Sequence, residues 1–409
     1  MIELTPPRKD YVFRFFKKLG FQPDNLSLDD LIFVFDRLAR VEEYVTPRKY
    51  KGQNWEITFA PLERQEEYFN PVIEQKIQLW LKNGEISRIP GAPPLWPQNK
   101  QFCLCLTHDV DQIQEYRWRE RLRQLRFFSK TSIRAMAPVI GSLIKHLGRQ
   151  VFRSRPLKTS SLEHWLEAEA RYGFSSSFLF IADQIPSPTI SDIHYRYDEK
   201  VDFEGRRIKV SQLIKELWKL GWDVGLHGSR NSHISSTLLK YEKKSLEEIL
   251  GARVVSIRQH YLCCDVEKTP RAQDDAGFRI DSTFGSNLQV GFRCGIGLPY
   301  PFYDLKTDNE LNLLELPMVI QDMALARNTG GYQELMTQRC IEMIDRVASV
   351  NGAITLLWHN AWPPDSAGYR CYKKILEAAA ARGAWGCSMR ALDEWWRERN
   401  ASMNHVCIK

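Results

Sequence analysis

The run Phe102-Cys103-Leu104-Cys105-Leu106 leads straight into Thr107-His108-Asp109-Val110-Asp111, so an apolar segment ends in two acids. Carboxylates at the end of a buried strand are costly unless a cation or a reaction uses them. Side chains alternate along an extended chain, which puts Asp109 and Asp111 on one side and His108 and Val110 on the other. Two later apolar runs end in a similar way: Trp222 to Leu226 closes on His227, and Ala353 to Trp358 closes on His359. A divalent cation held by one Asp and one or more His would leave positions open for water and substrate, and would bring the pKa of a bound water to about 7. A second carboxylate beside that water could take its proton, so Asp109 and Asp111 can divide the roles of base and ligand. His359, arriving on a separate strand, could protonate a leaving group from the opposite side. This set of residue types predicts metal-assisted hydrolysis.

Such a constellation needs elements that bring distant segments to one place. From residue 100 onward, short apolar runs alternate with amphipathic stretches, as in parallel strands joined by crossover helices. Strands are expected at 102–107, 175–182, 222–227, 253–258, 278–284, 312–320, 353–359 and 384–388. Helices are expected at 162–172, 211–220, 236–250, 334–350 and 371–382. This series suits an α/β fold of the (β/α) barrel kind, which gathers every strand end around one opening. An open doubly wound sheet is the alternative, although no Gly-rich phosphate loop follows the first strand. Residues 1–97 read as a small α+β module closed by the proline-rich linker Ile89 to Pro97, and 98–400 as the barrel. Within the module, Ser27 is placed to cap a helix that carries Leu31, Phe35, Leu38 and Val41 at helical spacing.

The 409 residues contain no apolar segment near the roughly 20 residues needed to cross a bilayer, and the start lacks a secretory pattern. A cytoplasmic protein is expected. Its nine cysteines are odd in number and irregularly spaced, and Cys263-Cys264 read as two loop thiols rather than a metal or redox pair. Between Gln114 and Lys158 there are nine Arg and three Lys against Glu115 and Glu120, more than the whole chain's net +7. This stretch, 114–158, reads as a basic helical insertion. It is either a solvated helical pair or, through Met136, Val139, Ile140, Leu143, Ile144, Leu147 and Val151, a surface for an anionic membrane or a phosphorylated glycan donor. Nucleic acid is the weaker alternative, since no recognised binding module is present.

Thr107-His108-Asp109-Val110-Asp111, His227-Gly228-Ser229, Arg258-Gln259-His260-Tyr261 and Leu356-Leu357-Trp358-His359 follow one another in this order at strand ends. Together they resemble the motif series of the polysaccharide deacetylase family, which includes the chitooligosaccharide deacetylases. The likeness spans residues 100–397. Gly277 to Thr283, Gly291 to Gly295 and Leu314 to Pro317 read like phrases of a bacterial branch of that family, and Asp29 to Tyr44 resembles an amino-terminal module attached there. The resemblance implies a distorted (β/α) barrel of the glycoside hydrolase/deacetylase type. It would remove acetyl groups from N-acetylated carbohydrate, with zinc or a similar divalent metal ion as cofactor, in bacterial surface glycan metabolism at the inner face of the membrane. It further implies Asp109 as general base, Asp111 and His227 as metal ligands, Arg258 as the partner that holds the base, the backbone near Tyr261 as an aid to the oxyanion, and His359 as general acid.

Three departures bear on this carry-over. Val110 separates aspartates that are adjacent in the family. Asn231 stands where the family has its second metal-binding His, with His233 two residues further on as a candidate ligand from a loop. His260 stands where the family tends to carry proline, as a substitute ligand or a substrate contact beside Tyr261. The incomplete His pair keeps open a catalytically silent barrel that binds glycan or a partner, and two carboxylates keep open a glycoside hydrolase on a related barrel. Asp281 and Asp322 also sit near strand ends. Either could orient His359, but each is expected to bind a backbone amide instead. His108 is expected to pack behind its strand.

Overall fold

In the computed structural model, the structure describes residues 3–45, 68–113, 162–186, 188–189, 192 and 195–406. The basic stretch at 114–158, with its expected membrane or glycan-donor surface, lies outside the described residues. The chain opens with helix Pro6–Leu19, which ends on Gly20 at φ 90°, a left-handed turn that glycine adopts without a Cβ penalty. Strand β1 (Phe21–Pro23) follows. Ser27 caps helix Leu28–Leu38 by accepting the Asp30 N–H, as its position in the sequence predicts. That helix stops short of Val41. Arg40 takes φ 53° and starts the separate helix Val41–Val45 on a new axis. Helix Val72–Asn83 and β2 (Ile86–Arg88), antiparallel to β1, complete this region.

The remaining strands are β3 (Phe102–Val110), β4 (Ser177–Phe180), the hairpin β5 (Lys200–Phe203) and β6 (Arg206–Lys209), β7 (Asp223–Gly228), β8 (Ser256–Gln259), β9 (Ile280–Asp281), β10 (Tyr300–Asp304), β11 (Asn309–Glu315), β12 (Ile320–Gln321), β13 (Ala353–Leu357) and β14 (Ala384–Cys387). Ten of the fourteen form one sheet in the order β10-β11-β9-β8-β7-β4-β3-β13-β12, with β14 also on β3. Except for β10, every pairing in this sheet is parallel. The run expected as one strand at 312–320 is two. Leu314 and Glu315 pair with Ile280 and Asp281, whereas Ile320 and Gln321 pair with Leu356 and Leu357. Pro317 has no N–H to give a ladder, and at this break the chain steps from the β9 side to the β13 side. The chain thus crosses from one end of the strand series to the other between β11 and β12, and the sheet curls as a half-barrel of the distorted (β/α) barrel type.

The central strand β3 shows how the barrel sorts its residues. Phe102, Leu104, Leu106 and Val110 pack outward into the core formed with the surrounding helices, including Trp165, Leu213, Leu246, Ile344 and Ile375. Cys103 and Cys105 face the other way, into a core shared with Leu179, Ile280, Leu314 and the amino-terminal side chains Tyr11, Phe16, Phe35, Ile77 and Trp80. Continuing two residues at a time along that inner face leads to Thr107, Asp109 and then Asp111. The carboxyl-terminal helix Met389–Val406, which lies against β3, β7 and β9, and the amino-terminal helices thus cover the barrel at its base, and the acids stand at its other end.

Candidate active site

The polar residues cluster at the carboxyl ends of the parallel strands, where a (β/α) barrel presents its chemistry. Asp109 and Asp111 come from the end of β3, His227 from β7, Arg258 from β8 with His260 just beyond it, and His359 from two residues past β13. Arg258 is wholly buried and fully engaged. Its Nε donates to the Ser282 carbonyl at 2.8 Å, Nη1 to Thr107 Oγ1 at 2.8 Å and to Asp109 Oδ1 at 2.9 Å, and Nη2 to Ser282 Oγ at 3.0 Å. Burial works against the charge on Asp109, but the positive groups around it, with the bonded Arg258 guanidinium and His359 among them, outweigh it and hold the carboxyl below its ordinary value. The second oxygen, Oδ2, lies 3.7 Å from His227 Nε2.

His227 donates from Nδ1 to the Arg258 carbonyl at 3.1 Å, which leaves the Nε2 lone pair facing the acids. Asp111 Oδ1 is 3.5 Å from that nitrogen and 3.9 Å from His260 Nε2. Among the described residues, the ligand atoms of Asp111, His227 and His260 lie within 4.8 Å of one another. Donors each about 2.0–2.1 Å from a tetrahedral zinc sit roughly 3.4 Å apart, so this set of one carboxylate and two imidazoles suits a divalent cation in donor type and would draw together to hold it. His233 is not part of it. Its Nδ1 donates to the Arg230 carbonyl at 2.7 Å, as a ligand's could, but it lies outside the group that Asp111 and His227 form, and the candidate position falls instead to His260. The reason is register: His227 lies beside Arg258 and Gly228 beside Gln259, so the first residue after β8 arrives next to the end of β7.

His359 stands across the acids, with Nε2 3.8 Å from Asp111 Oδ2. Asp322 is buried and does both things expected of it as alternatives: Oδ2 accepts the His359 backbone N–H at 2.9 Å, and Oδ1 accepts Nδ1–H at 2.6 Å. Trp362 Nε1 donates to the same carboxylate at 2.6 Å. Burial disfavours a charged ring, but Asp322 first, then Asp111 and Asp109, raise the His359 pKa to about 10. Asp281 has no part in this; its Oδ1 accepts from Gln273 and from Thr283. Tyr261 is half exposed beside the opening at φ 60°, with Arg230 stacked over its ring and Asn287 donating to its carbonyl at 2.8 Å.

Behind the strand, His108 donates to the Trp358 carbonyl at 2.7 Å and meets Glu169 at 2.8 Å, as its outward parity requires. Cys263 and Cys264 are buried free thiols whose pKa burial raises, Cys263 to about 12, which suits packing rather than reactivity. One residue of the site has no signal in the sequence. Asp192, in the loop after β4, accepts from His260 Nδ1 at 2.9 Å.

No family model matches the chain, and no curated protein matches it. Among solved structures, it is similar to a protein described as a polysaccharide deacetylase from Mycobacterium smegmatis, at 16% identity and TM-score 0.48, over 76% of this chain and 95% of that one. It is similar at the same TM-score of 0.48 to the Puue allantoinase, at 11% identity over 76% of this chain and 97% of the other. A probable polysaccharide deacetylase from Pseudomonas aeruginosa PAO1 is 12% identical with TM-score 0.48, over 76% and 98% of the two chains. The fold and the site stand on the geometry given above. Among the described residues, no helix is long and apolar enough to cross a membrane.

Proposed function

We propose that this protein is a metal-dependent hydrolase that removes an N-acetyl group from a carbohydrate. The observation that carries the reading is one opening that combines three facing donors, Asp111, His227 and His260, with an ionised carboxylate on one flank and a protonated imidazole on the other. Asp111, His227 and His260 would hold the cation, which as a Lewis acid makes water a better nucleophile and polarises a carbonyl. Asp109, fixed through Oδ1 by Arg258, has Oδ2 directed at the opening, ready to accept a proton from the attacking water. His359 is oriented by Asp322 and carries the proton that a departing amine needs. Tyr261, at the rim, is placed to contact a sugar face.

The substrate class and the metal are carried by the motif resemblance as well as by the donor set, and zinc suits two imidazoles and a carboxylate. A bacterial surface glycan handled from the cytoplasmic side is the setting this reading implies. Acetate release is the direct test, screened over N-acetylated nucleotide sugars, lipid-linked sugars and chitooligosaccharides with Asp109→Asn and His359→Ala as controls. Acetate is expected from one class and lost in both variants. Activity that survives both substitutions, or new reducing ends in place of acetate, would overturn the reading.

A further inference from the structure

His227 and His260 face the same point, but they are held there by different means. The His227 ring is steadied by a backbone carbonyl one strand away. His260 follows β8 immediately before Tyr261, whose left-handed backbone turns the chain sharply, so no ladder fixes its ring. What fixes it is Asp192. This side chain is only 4% exposed, and both of its oxygens are engaged. Oδ2 accepts the Thr189 backbone N–H at 2.8 Å and the Thr189 hydroxyl at 2.6 Å. Oδ1 accepts the Arg230 backbone N–H at 3.0 Å and His260 Nδ1–H at 2.9 Å. One carboxylate thereby ties the loop after β4 to the segment that follows His227 and to the ring of His260.

We propose that Asp192 is the positioning residue that makes His260 a metal donor, setting its tautomer and aiming Nε2 at the space shared with Asp111 and His227. The proposal rests on the metal-dependent reading above and adds to it how the third donor is recruited. An imidazole that gives its Nδ1 proton to a carboxylate keeps the lone pair on Nε2 and becomes more basic there, which strengthens coordination. The ring is also directed: His260 lies 4.8 Å from the His227 ring between centroids, and its Nε2 lies 3.9 Å from Asp111 Oδ1. Glycine or alanine at position 192 would remove this acceptor and let the His260 ring present either nitrogen or turn away, and asparagine would set an amide NH2 against the backbone N–H of Thr189 or Arg230, so the carboxylate's grip could not be kept intact.

A double-mutant cycle on zinc affinity tests this, read by competition with a chromophoric chelator on metal-stripped protein. The proteins are wild type, Asp192→Asn, His260→Ala and the double variant, with circular dichroism and a thermal melt on each. Asp192→Asn is expected to weaken zinc binding about 10–100-fold, the usual range for partners of metal ligands. In the His260→Ala background the same change is expected to do nothing further. Should Asp192→Asn fold poorly, Thr189→Ala removes an anchor of the same carboxylate, and a several-fold loss that vanishes without His260 is the expected result. Unchanged affinity in Asp192→Asn, or an equal loss with and without His260, would sink the proposal while leaving the metal site standing. A wild-type protein that takes up no stoichiometric zinc would instead bring down the metal-dependent reading itself.

Discussion

His227 and His359 stand on the same opening against carboxylates, the first buried and the second partly exposed, and are given opposite protonation by what each Nδ1 touches. For His227 the partner is the Arg258 carbonyl, a neutral dipole, and burial dominates and lowers the pKa. For His359 the partner is Asp322, and the carboxylate overcomes burial and raises the pKa to about 10. A neutral imidazole offers a lone pair; an imidazolium offers a proton. The barrel has thus made a candidate ligand and a candidate acid from one residue type by choosing the group behind the ring.

Substitutions at these two positions should break the molecule in different ways. His227→Gln is expected to give the largest effect: metal content after dialysis, read by elemental analysis, falls to a small fraction of one ion per chain, and acetate release goes with it. His359→Gln is expected to keep its metal while kcat drops by roughly 10²–10⁴-fold, the range for losing a general acid. Loss of metal in His359→Gln, or retention in His227→Gln, would reverse the assignment.

Asp322→Asn probes the partner rather than the ring, with a smaller effect of about tenfold on the rate, in keeping with changes behind a working group. Its signature lies in the pH profile. The acid form of His359 is the working form, so activity is lost as pH rises through its pKa. That alkaline limb should lie well above the ordinary histidine value in the wild type and move down toward about 6.5 in Asp322→Asn. A limb that stays in place would mean that another group titrates there. The acid limb should follow metal loss as His227 takes up a proton, and zinc affinity measured against pH would show it. The smallest effect is expected at His233. His233→Ala should leave zinc affinity within about twofold of the wild type, because second-position changes outside a donor set rarely reach the 10-fold level of its true partners.

Much of this was legible along the chain. All eight stretches read as strands overlap one, with 312–320 divided between β11 and β12, because apolar runs bounded by turn residues survive tertiary context well. Asp109, Asp111, His227, Arg258 and His359 converge as their strand ends suggested. Spacing along one segment could not choose between His233 and His260, since the choice depends on β7 and β8 lying side by side in one register. Asp192 was invisible for a related reason: it is a lone acid in a loop, and only its contact with His260 distinguishes it from other loop acids. The ranking of Asp322 as an amide binder missed that one carboxylate has two oxygens and can serve backbone and ring together. The crossing from β11 to β12 hinges on the change of partners at Pro317, which a continuous apolar run does not reveal.

The sharing of β3 between base and rim has a consequence for how the molecule can be handled. Cys103 and Cys105 belong to the same core as the side chains of the amino-terminal helices, and Asp109 lies four residues beyond Cys105 on the same inner row. Trimming away residues 1–97 would therefore take Tyr11, Phe16, Phe35, Ile77 and Trp80 out of the core beneath the strand that aims the acid, and leave Leu179, Ile280, Leu314 and the two thiols with the carboxyl-terminal helix Met389–Val406 as their remaining helical cover. A shortened version made for screening would carry the right motifs on a depleted foundation, and its silence would say nothing about the chemistry of the 409-residue chain.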